Sequence, residues 1–159
     1  MRLRWMINSF SGLLLLVVLC AAAPHACAQN QTPANIPLVG WIDPDTGLTW
    51  TKSDNGSDID WNQATAYCSN LRLGEYSDWR LPTIDELEGI SAPGINVPGQ
   101  WSNGPATWHV KGNLTISGRP WSSTQKNAGE TWNFDFHDGR RHSGRLGTSF
   151  FTTALCVRR

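Results

Sequence analysis

The chain has 159 residues, with 13 Lys and Arg against 13 Asp and Glu, so its formal charge is zero. No basic excess of the kind that tracks a phosphate backbone is present, which excludes a nucleic-acid binder of the electrostatic type. Nine tryptophans make a well-filled core affordable at single-domain size.

The N-terminus reads as an export signal. Arg2 and Arg4 open it, an apolar run from Leu13 to Ala23 follows, and Ala26-Cys27-Ala28 supplies the small residues of a cleavage site. The run is shorter than the roughly 20 residues that span a bilayer. The alternatives are a retained anchor and lipoprotein processing. Bulky Leu19 before Cys20, and Pro24-His25 before Cys27, argue against processing. The expected organisation is a signal peptide over 1–28, a linker over 29–38 and one domain over 39–159. Membrane association is then confined to the uncleaved signal, and the product is periplasmic, cell-surface or secreted. Removing 28 residues from 159 leaves 131, with eleven basic and thirteen acidic side chains and eight of the tryptophans. Of four cysteines only Cys68 and Cys156 stay, and an even pair in an oxidising compartment reads as a disulfide. Closing 88 residues of chain would be worth about 4–5 kcal/mol in the chain-entropy treatment. The competing reading is two buried thiols.

In chain order, 39–42 and 48–50 predict two strands joined by the turn residues Asp43-Pro44-Asp45-Thr46-Gly47. Asp60 with Gln63 forms a capping-box pattern ahead of a helix that places Trp61, Ala64, Cys68 and Leu71 on one face and runs to Gly74. Thr83 with Glu86 repeats the pattern, Ile84, Leu87 and Ile90 make the buried stripe, and Pro82 sets the approach. From Ser91 to Pro120 little periodicity is visible, so this stretch is either a functional loop or hides short strands. Trp132, Phe134 and Phe136 then alternate with Asn133, Asp135 and His137. Asp138-Gly139 predicts a two-residue turn that sets Arg140 opposite His137 and His142 opposite Asp135. A final strand over about 150–158 is apolar on both faces and reads as central.

An ordered set of motifs runs through this frame. It comprises Asp43-x-x-Thr46-Gly47-Leu48-x-Trp50, Trp61-x-x-Ala64-x-x-Tyr67-Cys68 and Trp79-Arg80-Leu81-Pro82-Thr83-x-x-Glu86-Leu87. Trp121-Ser122-Ser123-Thr124, Trp132-x-Phe134-x-Phe136-x-x-Gly139 and Cys156-Val157-Arg158 complete it. The set resembles the Lcl C-terminal domain family (Lcl_C) of bacterial envelope and secreted proteins, named for the Legionella collagen-like protein. Leu155 departs from the arginine that the family pattern carries there. The Arg80-Leu81-Pro82-Thr83-x-x-Glu86 block is also similar to one in formylglycine-generating enzymes, which share the C-type-lectin-like fold. The resemblance therefore implies an α+β, C-type-lectin-like domain: N-terminal hairpin, two helices, long loop region and C-terminal antiparallel sheet. In such domains a disulfide joins the first helix to the last strand, as Cys68 and Cys156 would. It also implies adhesin-type attachment, including attachment to sulfated glycans.

The candidate chemistry is that of recognition. Trp79, Arg80, Leu81, Pro82, Thr83 and Glu86 read as a structural motif, with Arg80 and Glu86 forming a partly buried pair. Tryptophans 50, 61, 79, 121 and 132 read as core. Trp101 and Trp108, in Gly/Pro-rich surroundings, are candidates for stacking on a sugar face. Asp135, His137, Arg140 and His142 gather on one predicted hairpin face, either as a reader of anionic or polyol groups or as a solvated surface. Arg119, Arg140, Arg141 and Arg145 suit sulfate oxygens. Asp54, Asp58 and Asp60 lie close in sequence, but Gly56 interrupts any calcium-loop series. Two histidines and one carboxylate lack a zinc spacing, so no metal or other cofactor is expected. No nucleophile elbow, phosphate loop or zinc-protease helix occurs, so no catalytic residue is assigned. The expected function is a non-catalytic, exported binding module whose ligand is a glycan or an envelope protein. A structural domain of an envelope or pilus-like assembly is the alternative, and an enzyme related to the formylglycine-generating enzymes ranks below both.

Overall fold

The computed structural model describes residues 39–101 and 104–159. The expected signal (1–28) and all of the linker (29–38) lie outside them.

Strands β1 (Gly40–Ile42) and β2 (Thr49–Thr51) pair antiparallel, with Trp41 opposite Trp50. Asp43 closes their turn. Its carboxylate accepts from Thr46 Oγ1 at 2.6 Å, and its carbonyl accepts from Gly47 N at 2.8 Å. Helix α1 (Trp61–Asn70) starts on the expected box: Gln63 N donates to Asp60 Oδ1 at 2.9 Å, and Asp60 N donates to Gln63 Oε1 at 3.0 Å. It buries Ala64 and Cys68 and stops at Asn70, ahead of Gly74, because Leu71 is already extended. Helix α2 (Ile84–Gly89) starts on the second box, and Glu86 serves twice. Its Oε2 accepts from Thr83 N at 2.8 Å, while both oxygens take the Arg80 fork at 2.7 and 2.8 Å.

The aperiodic middle contains structure. Strands β3 (Val97–Trp101) and β4 (Gly104–Trp108) form an antiparallel hairpin, and a 3-10 turn follows at Lys111–Asn113. Pro98, Gly99, Gly104 and Pro105 sit inside these strands, which erases the alternation that would announce them. Next come β5 (Arg119–Asn127), β6 (Glu130–Asp135), β7 (Arg140–Arg145), β8 (Thr152–Thr153) and β9 (Val157–Arg158). The sheets run β1-β2-β9, β3-β4 and β7-β6-β5-β8, antiparallel except for the parallel β5–β8 pair. The architecture is α+β: mostly sheet, with two helices.

Two sequence expectations need correction. The hairpin turn has four residues, so Asp135 faces Arg140 and Asn133 faces His142. Aspartates set this register: Asp135 Oδ1 accepts from His137 N at 2.8 Å and Asp138 Oδ1 from Arg140 N at 2.9 Å, while Gly139, at φ 69°, donates to the Asp135 carbonyl. The closing stretch is likewise no single central strand. It is split into β8 and β9, each ending the strand order of a different sheet.

Between them the chain divides two cores. Leu155 and Val157 join Trp50, Leu87, Trp108 and Phe134 on one side. Ala154 and Cys156 join Ala64, Cys68, Trp79 and Trp121 on the other. The period-two alternation of an extended chain produces this partition. The Cys68–Cys156 disulfide is formed, with Cα atoms 5.5 Å apart.

Replacing both cysteines by alanine is expected to lower stability by about 3–5 kcal/mol, measured by urea unfolding. Burial raises the Glu86 pKa, but the Arg80 and Thr83 hydrogen bonds outweigh it, and the group is held below its ordinary value of 4.5. A depressed folded-state pKa contributes stability that is complete above 4.5 and is lost as pH falls through the folded value. Glu86→Gln, which can still cap Thr83, should lose less stability at pH 7 than Glu86→Ala, and part of the acid-side slope should vanish with either.

Candidate functional site

Four side chains converge at one end of β3 and β5: Trp101, Arg119, His137 and Phe151 line a cleft of about 260 Å³. Trp101 also lines a second cleft of about 370 Å³, together with Gly56, Ser57, Asp58, Gln100 and Ser117. The half-buried Trp101 indole is thus the wall shared by two recesses. It is braced by Trp108 at a ring distance of 4.9 Å and by Phe151, edge-on, at 5.3 Å. The Arg119 guanidinium lies 5.6 Å from its ring centre, within cation–π range.

Local structure holds each of these groups. Arg119 Nε lies 3.2 Å from Asp135 Oδ2 but is poorly aligned for a hydrogen bond, so the contact is an ion pair. The His137 ring presents Nδ1 to the Thr107 carbonyl at 3.0 Å, and since a carbonyl can only accept, the proton of that bond is on Nδ1. Phe151 has φ 56°, a left-handed conformation costing a non-glycine residue about 1–2 kcal/mol. The β5–β8 pairing maintains it, since Arg119 N donates to the Phe151 carbonyl at 2.8 Å. The wall of the second recess is fixed by Asp54, which accepts from Ser117 N at 2.8 Å, Ser117 Oγ at 2.9 Å and Gly56 N at 3.0 Å.

The residues singled out from sequence separate into groups. Trp101, Arg119 and His137 come together. Trp108 is wholly buried, so its expected role as a stacking surface is replaced by that of a support beneath Trp101. Asp135 is also buried, as are Thr131 and Asn133 on the same strand face, so that face is no solvated surface. Arg140 is exposed at the hairpin end, and His142 Nε2 meets Asp138 Oδ2 at 3.0 Å. Arg141 points to α2, where it pairs with Asp85 and Glu88. The four arginines therefore form no common patch, because Arg119 is at the cleft and Arg141 is across the sheet. Asp54, Asp58 and Asp60 also part: one is a buried loop anchor, one lines a recess and one caps α1. Gln100 and Phe151 escaped the sequence reading. The Phe150-Phe151 pair in an otherwise polar loop was the available signal for the latter.

Trp108→Ala is expected to cost about 3–5 kcal/mol of stability, measured by thermal or urea unfolding, as loss of a core indole should. Trp101→Ala should cost clearly less.

The Lcl C-terminal domain family model matches residues 41–158, spanning every strand and both helices except one residue at the start of β1. No curated protein matches the chain. The match covers well over half of the sequence, and the chain belongs to the Lcl C-terminal domain family.

Proposed function

We propose that the chain is an exported, non-catalytic binding module with a C-type-lectin-like arrangement, and that it engages a glycan at the paired recesses around Trp101. The observation that carries this reading is the composition of those recesses. An indole and a phenyl ring supply apolar faces for the C–H surface of a sugar, while Arg119, His137, Asp58 and Gln100 supply hydrogen-bonding groups around them. Family membership supports a binding role, and the adhesin-type attachment of the namesake is consistent with it. Arg119 suits a sulfated or carboxylated sugar, because its planar fork matches paired oxygens.

Export is supported by the charged, apolar and small-residue pattern of residues 1–28 and by the disulfide. The hairpin, the two helices and the bridge from α1 to the closing segment support the C-type-lectin-like arrangement. Both cysteines of the described residues are tied in that bridge, so no thiol there is left for formylglycine-type oxidation. An assembly role is favoured by one feature, the exposed Phe150 ring packed at a tilt against Phe151 with ring centres 4.0 Å apart.

A glycan array probed with the purified chain tests the proposal. Binding to anionic glycans is expected, with Trp101→Ala and Arg119→Gln removing it and Arg140→Ala retaining it. A blank array, or binding indifferent to Trp101 and Arg119, would contradict it, and loss on Arg140→Ala alone would move the site to the hairpin end.

A further inference from the structure

The β6–β7 hairpin ends in a group of side chains that meets the cleft through the Asp135–Arg119 ion pair. Asp135, Asp138 and His142 each offer a ligand atom, and the three atoms lie within 4.8 Å of one another. Sequence spacing concealed the set, because Asp138 reads as a turn residue. The four-residue turn instead brings it back over the strand pair, where Asp138 Oδ2 meets His142 Nε2 at 3.0 Å. Asp135 is buried at the base, while Asp138 and His142 are partly open to solvent.

A second observation points the same way. Asn133 is 2% exposed, and its Oδ1 has no hydrogen-bond partner, a costly state for a buried carbonyl. Asn133 is the register partner of His142, so its amide stands on the same face beside the imidazole, at the roughly 5 Å spacing of opposed residues. Its Nδ2 lies 3.7 Å from where a Gly144 Cβ would stand.

We propose that Asp135, Asp138, His142 and the Asn133 amide oxygen form a site for a divalent transition-metal ion of the zinc class. One imidazole with two carboxylates and a neutral oxygen is a borderline donor set, suited to zinc more than to calcium or magnesium. Zinc bonds of about 2.0–2.2 Å need ligand atoms roughly 3.3 Å apart, so no pair among the three need close by more than about 1.5 Å, which side-chain rotation of Asp138 and His142 supplies. Arg119, 3.2 Å from Asp135 Oδ2, offsets one of the two carboxylates, while Asp138 has no Lys or Arg side-chain partner among the described residues. The inference stands apart from the glycan reading, since its probe is the ion alone.

Calorimetric titration of the chelator-treated chain with zinc chloride tests it. The expected result is saturable uptake of one ion per chain, abolished by Asp138→Asn and by His142→Gln, and unchanged by His109→Gln, whose ring is held on the Ile95 carbonyl. The altered positions are partly exposed, and equal metal-free melting temperatures would establish that the variants fold. Absence of saturable uptake would overturn the proposal. Uptake unaffected by Asp138→Asn and His142→Gln, or lost equally on His109→Gln, would do the same.

Discussion

The structure depends on how the chain's closing segment is satisfied from all sides. Between residues 152 and 157 its backbone is bonded to three distant stretches of sequence, 51–59, 80 and 119–120. Arg119 and Pro120 pair with Thr152 and Thr153. Ile59 N donates to the Thr152 carbonyl, Asn55 bonds Ala154 through both backbone and side chain, and Thr51 does the same for Cys156. Val157 exchanges two bonds with Arg80. A buried peptide group without a partner costs as much as a lost hydrogen bond, so this segment is stable only where all those stretches are in place. The disulfide then fixes it to α1, and its alternating side chains supply both cores at once.

The cleft is a consequence of that arrangement. The chain leaves the 152–153 pairing through Phe151, whose left-handed conformation is held by the Arg119 bond, and Phe151 and Arg119 are neighbours in the recess for that reason. Asn55, tied to Ala154, carries the loop that walls the second recess. Trp101, like Gln100, comes from outside that framework, on the β3–β4 hairpin, and it is seated by the buried Trp108. A rigid frame thus presents one aromatic wall flanked by polar groups, the layout expected of a recognition surface whose parts are preorganised.

Much of this was legible in sequence wherever local chemistry decides local structure. Asp60 with Gln63 and Thr83 with Glu86 named both helix starts, because a capping box is specified within four residues. The Cys68–Cys156 pair was legible once residues 1–28 were read as an export signal, and the disulfide is formed. The β3–β4 hairpin was not, since Pro98, Gly99 and Pro105 break the period and its stability comes from Trp108 packing into a distant core. The hairpin register failed for a subtler reason. Asp138-Gly139 does signal a turn, but Asp135 bonding to the His137 amide starts that turn earlier, and both patterns are written in the same few residues. Of the site, Trp101, Arg119 and His137 could be nominated by type, whereas their meeting with Phe151 required the fold.

Native-state hydrogen exchange on the oxidised protein tests this dependence most directly. The account predicts that the amides of Ala154, Cys156 and Val157 exchange only through global unfolding, while those of the β3–β4 hairpin open earlier. Exchange of the closing segment together with, or ahead of, that hairpin would contradict it.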